Sequence, residues 1–195
     1  RFLAVLFMVF LSAGIILSGC AQQEEAIETA AAPAPLSDPL KIDTGYISGF
    51  LTGTVDNPIK TYRGIPYAAP PVGDLRWKPP QPAAGWDEIR PCSEFSMQCP
   101  QRSMIGGMPL APMNEDCLYL NVMTPAKTAD DALPVMVWMH GGGYSYGSGN
   151  DTLCNNYRLP QQGVVVVTVT MRLNTFGLLA HPLLTAESPN NSSGK

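Results

Sequence analysis

Two apolar runs constrain this chain more than any other feature. Pro134-Val135-Met136-Val137-Trp138-Met139-His140 is one, and Gly163-Val164-Val165-Val166-Val167-Thr168-Val169-Thr170, rich in β-branched residues, is the other. A strand with one wet face alternates apolar and polar residues, so a run without alternation predicts a strand buried on both faces. Two such strands, separated by a loop and a short helical stretch over 152–161, predict a parallel pair inside an α/β sheet. Ahead of them, residues 42–55 alternate loosely around glycines 45, 49 and 53 and predict short paired strands with tight turns. The proline-rich stretch 70–80 cannot be helix interior, and 118–123 reads as a short strand ended by Thr124-Pro125. The class is therefore α/β, with antiparallel strands opening the fold and the buried parallel strands following.

The amino-terminal segment belongs to targeting and not to the fold. Residues 2–17 are apolar apart from small residues at Ser12, Ala13 and Gly14, which is shorter than the ~20 residues a membrane-spanning helix needs. The run ends in Leu17-Ser18-Gly19-Cys20, which resembles the lipobox of bacterial lipoproteins. Residues 1–19 are thus predicted to be a lipoprotein signal peptide, with the Cys20 thiol as the lipid-bearing atom. Residues 20–39, polar and spaced by Pro33, Pro35 and Pro39, predict a flexible tether. The expected location is the bacterial cell envelope, with a membrane as partner through the anchor.

Charge and cysteines narrow the chemistry. Sixteen acidic against 12 basic residues give a net charge of −4, without a basic run, which argues against nucleic acid as a partner. Four cysteines follow Cys20, namely Cys92, Cys99, Cys117 and Cys154, and in an oxidising compartment they allow three pairings. No two share a CxxC spacing, and His140 and His181 lie far from any cysteine pair, so neither a metal nor another cofactor is expected.

The loop after the first apolar run carries the candidate chemistry. His140-Gly141-Gly142-Gly143 leaves the strand end, where α/β folds place their sites. Consecutive glycines let a backbone turn sharply and present N–H groups with no side chain in the way. A phosphate loop would need a closing Lys-Ser/Thr, which is absent. HGGG-type segments supply the oxyanion loop of lipases and esterases, where donors meet the oxygen that turns negative in the tetrahedral intermediate. Ser148, in Gly147-Ser148-Gly149, is a loop neighbour of that segment and not a nucleophile elbow.

Further motifs make the likeness specific. Tyr62-Arg63-Gly64-Ile65-Pro66-Tyr67-Ala68-Ala69-Pro70-Pro71-Val72-Gly73-Asp74-Leu75-Arg76-Trp77 resembles the amino-terminal signature of type B carboxylesterases and cholinesterases. Glu115-Asp116-Cys117-Leu118-Tyr119-Leu120-Asn121-Val122 is similar to the family's second signature, and 137–144 to its oxyanion segment. Phe176-Gly177-Leu178-Leu179-Ala180 and Asn191-Ser192-Ser193-Gly194 continue the order. The resemblance covers residues 40–195 and implies the first portion of an α/β-hydrolase fold.

What the resemblance implies can be assigned residue by residue. The N–H groups of Gly142 and Gly143 are two oxyanion donors, with Gly141 beside them and His140 orienting the loop by hydrogen bonding. The serine in its Gly-x-Ser-x-Gly elbow, the acid, the catalytic histidine and the third donor are expected beyond Lys195, so this stretch alone is expected to be inactive. Cys99 and Cys117 match the family's first disulfide, and Arg76 and Glu115 a buried ion pair near it. His181, ahead of Pro182, is a surface or packing residue. The loop 100–116 has methionines at 104, 108 and 113 and no aromatic residue, whereas cholinesterase-like members hold a quaternary ammonium there on a tryptophan. The expected substrate is a small uncharged ester, cleaved through an acyl-enzyme. Thr170-Met171-Arg172-Leu173-Asn174 departs from the family's Asn-Tyr-Arg-x-Gly. A catalytically silent adhesion module of the same fold is the alternative, against which the intact glycine pair argues.

Overall fold

The computed structural model describes residues 38–102 and 111–194. The signal peptide, Cys20, most of the tether, Met104 and Met108 lie outside the described residues. Among those described, no helix is long and apolar enough to cross a membrane.

The chain opens with β1 (Leu40–Ile42), β2 (Gly45–Ser48), β3 (Phe50–Gly53) and β4 (Pro58–Pro66), and continues through β5 (Ile89–Pro91) and β6 (Tyr119–Thr124). The two apolar runs become β7 (Val135–Met139) and β8 (Val165–Val169), and two short helices follow, α1 (Asn174–Leu178) and α2 (Pro182–Glu187). The strands form a small sheet in the order β1-β2-β5 and a larger one in the order β3-β4-β6-β8-β7. In the larger sheet the pairs β3–β4, β4–β6 and β6–β8 are antiparallel, and β7 joins β8 in parallel, from Val135↔Val165 to Met139↔Val169. The parallel pair expected from the two runs is present.

Its burial is not as expected. β8 has a neighbour on each side and buries Val166 and Thr168, at 3% and 0% exposure, whereas β7 pairs only with β8 and leaves every residue 43–65% exposed. An apolar run specifies a strand suited to burial, but the covering must come from other elements, and the described residues cover β7 only in part. The helical stretch expected over 152–161 is also absent: turns lead into a 3-10 turn at Pro160–Gln162. The cause is side-chain competition for the backbone. Asn155 Nδ2 donates to the Asp151 and Gly149 carbonyls, Asn156 Nδ2 to the Leu153 carbonyl, and Leu153 N–H to Asp151 Oδ1.

Three apolar clusters hold the described residues together. Ile47, Tyr62, Ile65 and Cys92 form one between the two sheets, and Ile59, Met123 and Val166 a second across β4, β6 and β8. Cys99, Cys117 and Leu173 form the third, with Met171 packed against it. One irregularity matters for the site. β4 carries a bulge between Tyr62 and Ile65, where Gly64 has φ +66° and turns its N–H onto Asn121 Oδ1 at 3.0 Å. Asn121 is 1% exposed in β6, and its Nδ2 faces the Gly149 carbonyl, Asn150 Oδ1 and Thr168 Oγ1 at 2.9–3.2 Å. A bulge at one side of the sheet is thereby tied to the far end of the glycine loop at the other.

Candidate active site

The glycine loop starts where β7 ends and is shaped by left-handed backbone. Gly142 has φ +112° and Gly143 φ +56°, and a Cβ on Gly142 would lie 1.9 Å from the Tyr146 carbonyl oxygen. The loop closes on itself through that residue: the Gly142 carbonyl accepts from Ser145 N–H at 3.0 Å and Tyr146 N–H at 3.4 Å. The N–H groups of Gly142 and Gly143 have no hydrogen-bond partner among the described residues. Two adjacent amides thus stay available to an outside acceptor while the carbonyl side of the turn is satisfied.

His140 sits at the root of the loop with 9% exposure, and its Nδ1 lies 2.8 Å from the Gly141 carbonyl oxygen. A carbonyl only accepts, so Nδ1 is the donor in this contact. Nε2 is buried without a partner among the described residues. His140 therefore bonds within the loop, and its ring is pressed against Gly147, where a Cβ would fall 2.3 Å from Nδ1.

Serines in the loop are accounted for by local bonds. Ser148 is buried and its Oγ accepts from Asn150 N–H at 3.0 Å. The expectation that Gly-x-Ser-x-Gly occurs only beyond Lys195 overlooks a literal match, Gly143-Tyr144-Ser145-Tyr146-Gly147. It is no elbow in the fold. Ser145 Oγ donates to the Gly143 carbonyl at 3.3 Å, no base contacts it among the described residues, and turns follow it instead of a helix.

The surroundings are braced from two sides. A disulfide joins Cys99 to Cys117, and Cys92 and Cys154 are free thiols. Burial pushes the Cys92 thiol up, so it stays protonated and unreactive. Arg76 grips Glu115 with two bonds, at 2.5 and 2.6 Å, and the hydrogen bonds to Glu115 raise the guanidinium pKa. The pair is not buried as expected, because its side chains stay 39% and 22% exposed. On the other side Asn174, at φ +53°, stands where the family pattern has glycine. Asparagine tolerates that conformation. Its N–H donates to the Tyr144 carbonyl at 2.9 Å and its Nδ2 to the Ser145 carbonyl at 2.9 Å, so the departure from the pattern adds a brace to the loop. His181 caps α2, with Nδ1 accepting from Leu183 N–H. Motif reading named Asn121 and Asn174 without giving either a role, and it passed over Gln101, which bonds both polar groups of Gly147. For Asn121 the sequence offers its place in the second signature and a polar amide amid apolar residues.

With this geometry in place, comparison with known proteins is decisive. The carboxylesterase family model matches residues 37–193. This chain belongs to the carboxylesterase family. It is 44% identical over 167 residues to fumonisin B1 esterase of Sphingopyxis macrogoltabida, covering 85% of this chain and 31% of that protein. It is 42% identical over 135 residues to para-nitrobenzyl esterase of Bacillus subtilis (strain 168), covering 67% and 27% respectively. Among solved structures, a PNB esterase superposes with a TM-score of 0.65 at 32% identity, covering 84% of this chain and 32% of its own. A thermophilic PNB esterase gives 0.63 at 36% identity, covering 74% and 29%. The architecture is therefore that of an α/β-hydrolase, and this chain spans under a third of the length of each of these relatives.

Proposed function

We propose that the protein containing these residues is a serine carboxylesterase for small uncharged esters, with Gly142 and Gly143 as oxyanion donors. The observation that carries this reading is the pair of adjacent N–H groups left without partners at the end of a parallel strand. In the reaction, a serine hydroxyl adds to the ester carbonyl carbon while a histidine takes its proton. The carbonyl oxygen becomes an oxyanion, and the two N–H groups stabilise it there more than they stabilise the ground state. The alcohol then leaves with the proton, and water releases the acid and restores the serine. The serine, histidine, acid and third donor lie beyond Lys195 in this proposal, so residues 1–195 alone hydrolyse no ester. The exported protein is held to a membrane by lipid on Cys20, with 20–39 as the tether.

Turnover of p-nitrophenyl butyrate by the complete protein is the test. Gly142→Ala, whose Cβ meets the Tyr146 carbonyl, is expected to lower kcat by about 10²–10³, the cost of one lost oxyanion donor. A complete protein that turns over no ester, or a variant with unchanged kcat, sinks the reading. For the anchor, Cys20→Ser should abolish labelled fatty-acid uptake in a bacterial host, and uptake that persists removes it from the proposal.

A further inference from the structure

The sheet alone does not hold the glycine loop. Gln101 lies two residues past Cys99, on the loop that the disulfide closes. Its Oε1 accepts from Gly147 N–H at 2.7 Å, and its Nε2 donates to the Gly147 carbonyl at 2.9 Å and to the Cys99 carbonyl at 3.2 Å. A primary amide offers two hydrogens and an acceptor oxygen in one plane. Here both hydrogens and the oxygen are engaged, so the side chain pairs with Gly147 as a neighbouring strand would and cannot turn without losing all three bonds.

The residue it grips is one of the loop's tight points. Gly147 has φ +112° and packs against the His140 ring, so a shift of Gly147 moves His140 and the root of the glycine pair. Neighbouring bonds support the same geometry, since Asn174 Nδ2 donates to the Pro100 carbonyl at 3.4 Å as well as to Ser145. Segment 100–101 is in turn anchored at Cys99, which is fully buried and tied to Cys117 two residues before β6.

We propose that Gln101 is a positioning residue for ester hydrolysis: its amide fixes Gly147 and so sets the Gly142–Gly143 N–H pair against the disulfide loop. The inference rests on the oxyanion role proposed above. Oxyanion donors act only if they are held in place before the reaction, and displacement of about 1 Å can cost 10²-fold. Replacing the amide by an apolar chain of equal length leaves the filled space and removes the three bonds.

In the complete protein, Gln101→Met is therefore expected to lower kcat for p-nitrophenyl butyrate by about 10- to 100-fold, with KM within about threefold. Affinity for a trifluoromethyl ketone, which mimics the tetrahedral intermediate, should fall in the same proportion. Hydrogen exchange supplies a readout independent of catalysis: the Gly147 amide should exchange faster in the variant while β8 amides keep their protection. Gln101→Glu preserves length and the Oε1 acceptor but faces two carbonyls with an oxygen, and it should show both losses even if Gln101→Met fails to fold. Unchanged kcat with a still-protected Gly147 amide overturns the inference. If the wild-type protein hydrolyses no ester, the esterase reading fails by itself. Rapid exchange of Gly147 in the wild type overturns the clamp, whatever the activity.

Discussion

β7 and β8 are both predominantly apolar and lie side by side in register, yet they differ sharply in burial. Val166 on β8 is packed against Ile59 and Met123, while Val137, Trp138 and Met139 on β7 are open to solvent. β8 is pinned between β6 and β7, and β7 has one neighbour. Apolar composition thus measures what a strand requires, and neighbours measure what it receives. The glycine loop grows from the strand that receives less. Its braces at Gln101, Asn121 and Asn174 come from outside that strand, where the scaffold is firm.

The largest effect expected from this contrast is at the valines. In this chain Val166→Asp should cost at least about 4 kcal/mol in denaturant unfolding, because an unpaired carboxylate is buried, while Val137→Asp should cost under about 1 kcal/mol. Equal costs would break the comparison and mean that β7 is covered in solution.

The cysteines sharpen it at intermediate scale. Removing the Cys99–Cys117 bond, whose partners are 18 residues apart, should cost about 3 kcal/mol. Cys154→Ala, beside Trp138 on the uncovered side, should stay within about 0.5 kcal/mol. A melting temperature equally depressed by both changes would contradict the division into firm and open sides.

A smaller effect is expected at Tyr67, whose hydroxyl donates to the Thr170 carbonyl at 2.8 Å just past β8. Tyr67→Phe should cost about 1 kcal/mol at neutral pH. Burial raises the Tyr67 pKa above its ordinary value of 10.0, as it does for Tyr62 and Tyr119. Above pH 10 the unfolded tyrosine sheds its proton first, so the folded state binds more protons and stability falls as pH rises. The Phe variant should lose less stability than the wild type between pH 10 and 11, and parallel pH curves would refute the assignment.

The fold was legible wherever the signal is local. Unbroken apolar runs marked β7 and β8, and Thr124-Pro125 marked the end of β6. The glycine loop announced itself through composition, and the Cys99–Cys117 and Arg76–Glu115 pairings came through family resemblance. What stayed hidden depends on distant partners. The exposure of β7 depends on what packs against its faces, and Gln101 is 46 residues from the glycine it grips. Asn174 looked like a break in a pattern, and only its backbone angle reveals an equivalent of glycine with a useful side chain. The turns at 152–161 defeated a helical reading because asparagine and aspartate side chains bond the backbone there.

The strand order of the larger sheet also has a consequence in time. β7 precedes β8 in sequence and, among the described residues, pairs with β8 alone, so that pairing waits for β8. From Met139 to Val169 is 169 − 139 = 30 residues, and they include the whole glycine loop. Whether the chain emerges from a ribosome or an export channel, an apolar ribbon with both edges unpaired comes out ahead of its dock. Until β8 docks, β7 presents two unpaired edges, and strand edges of this kind invite pairing with another chain.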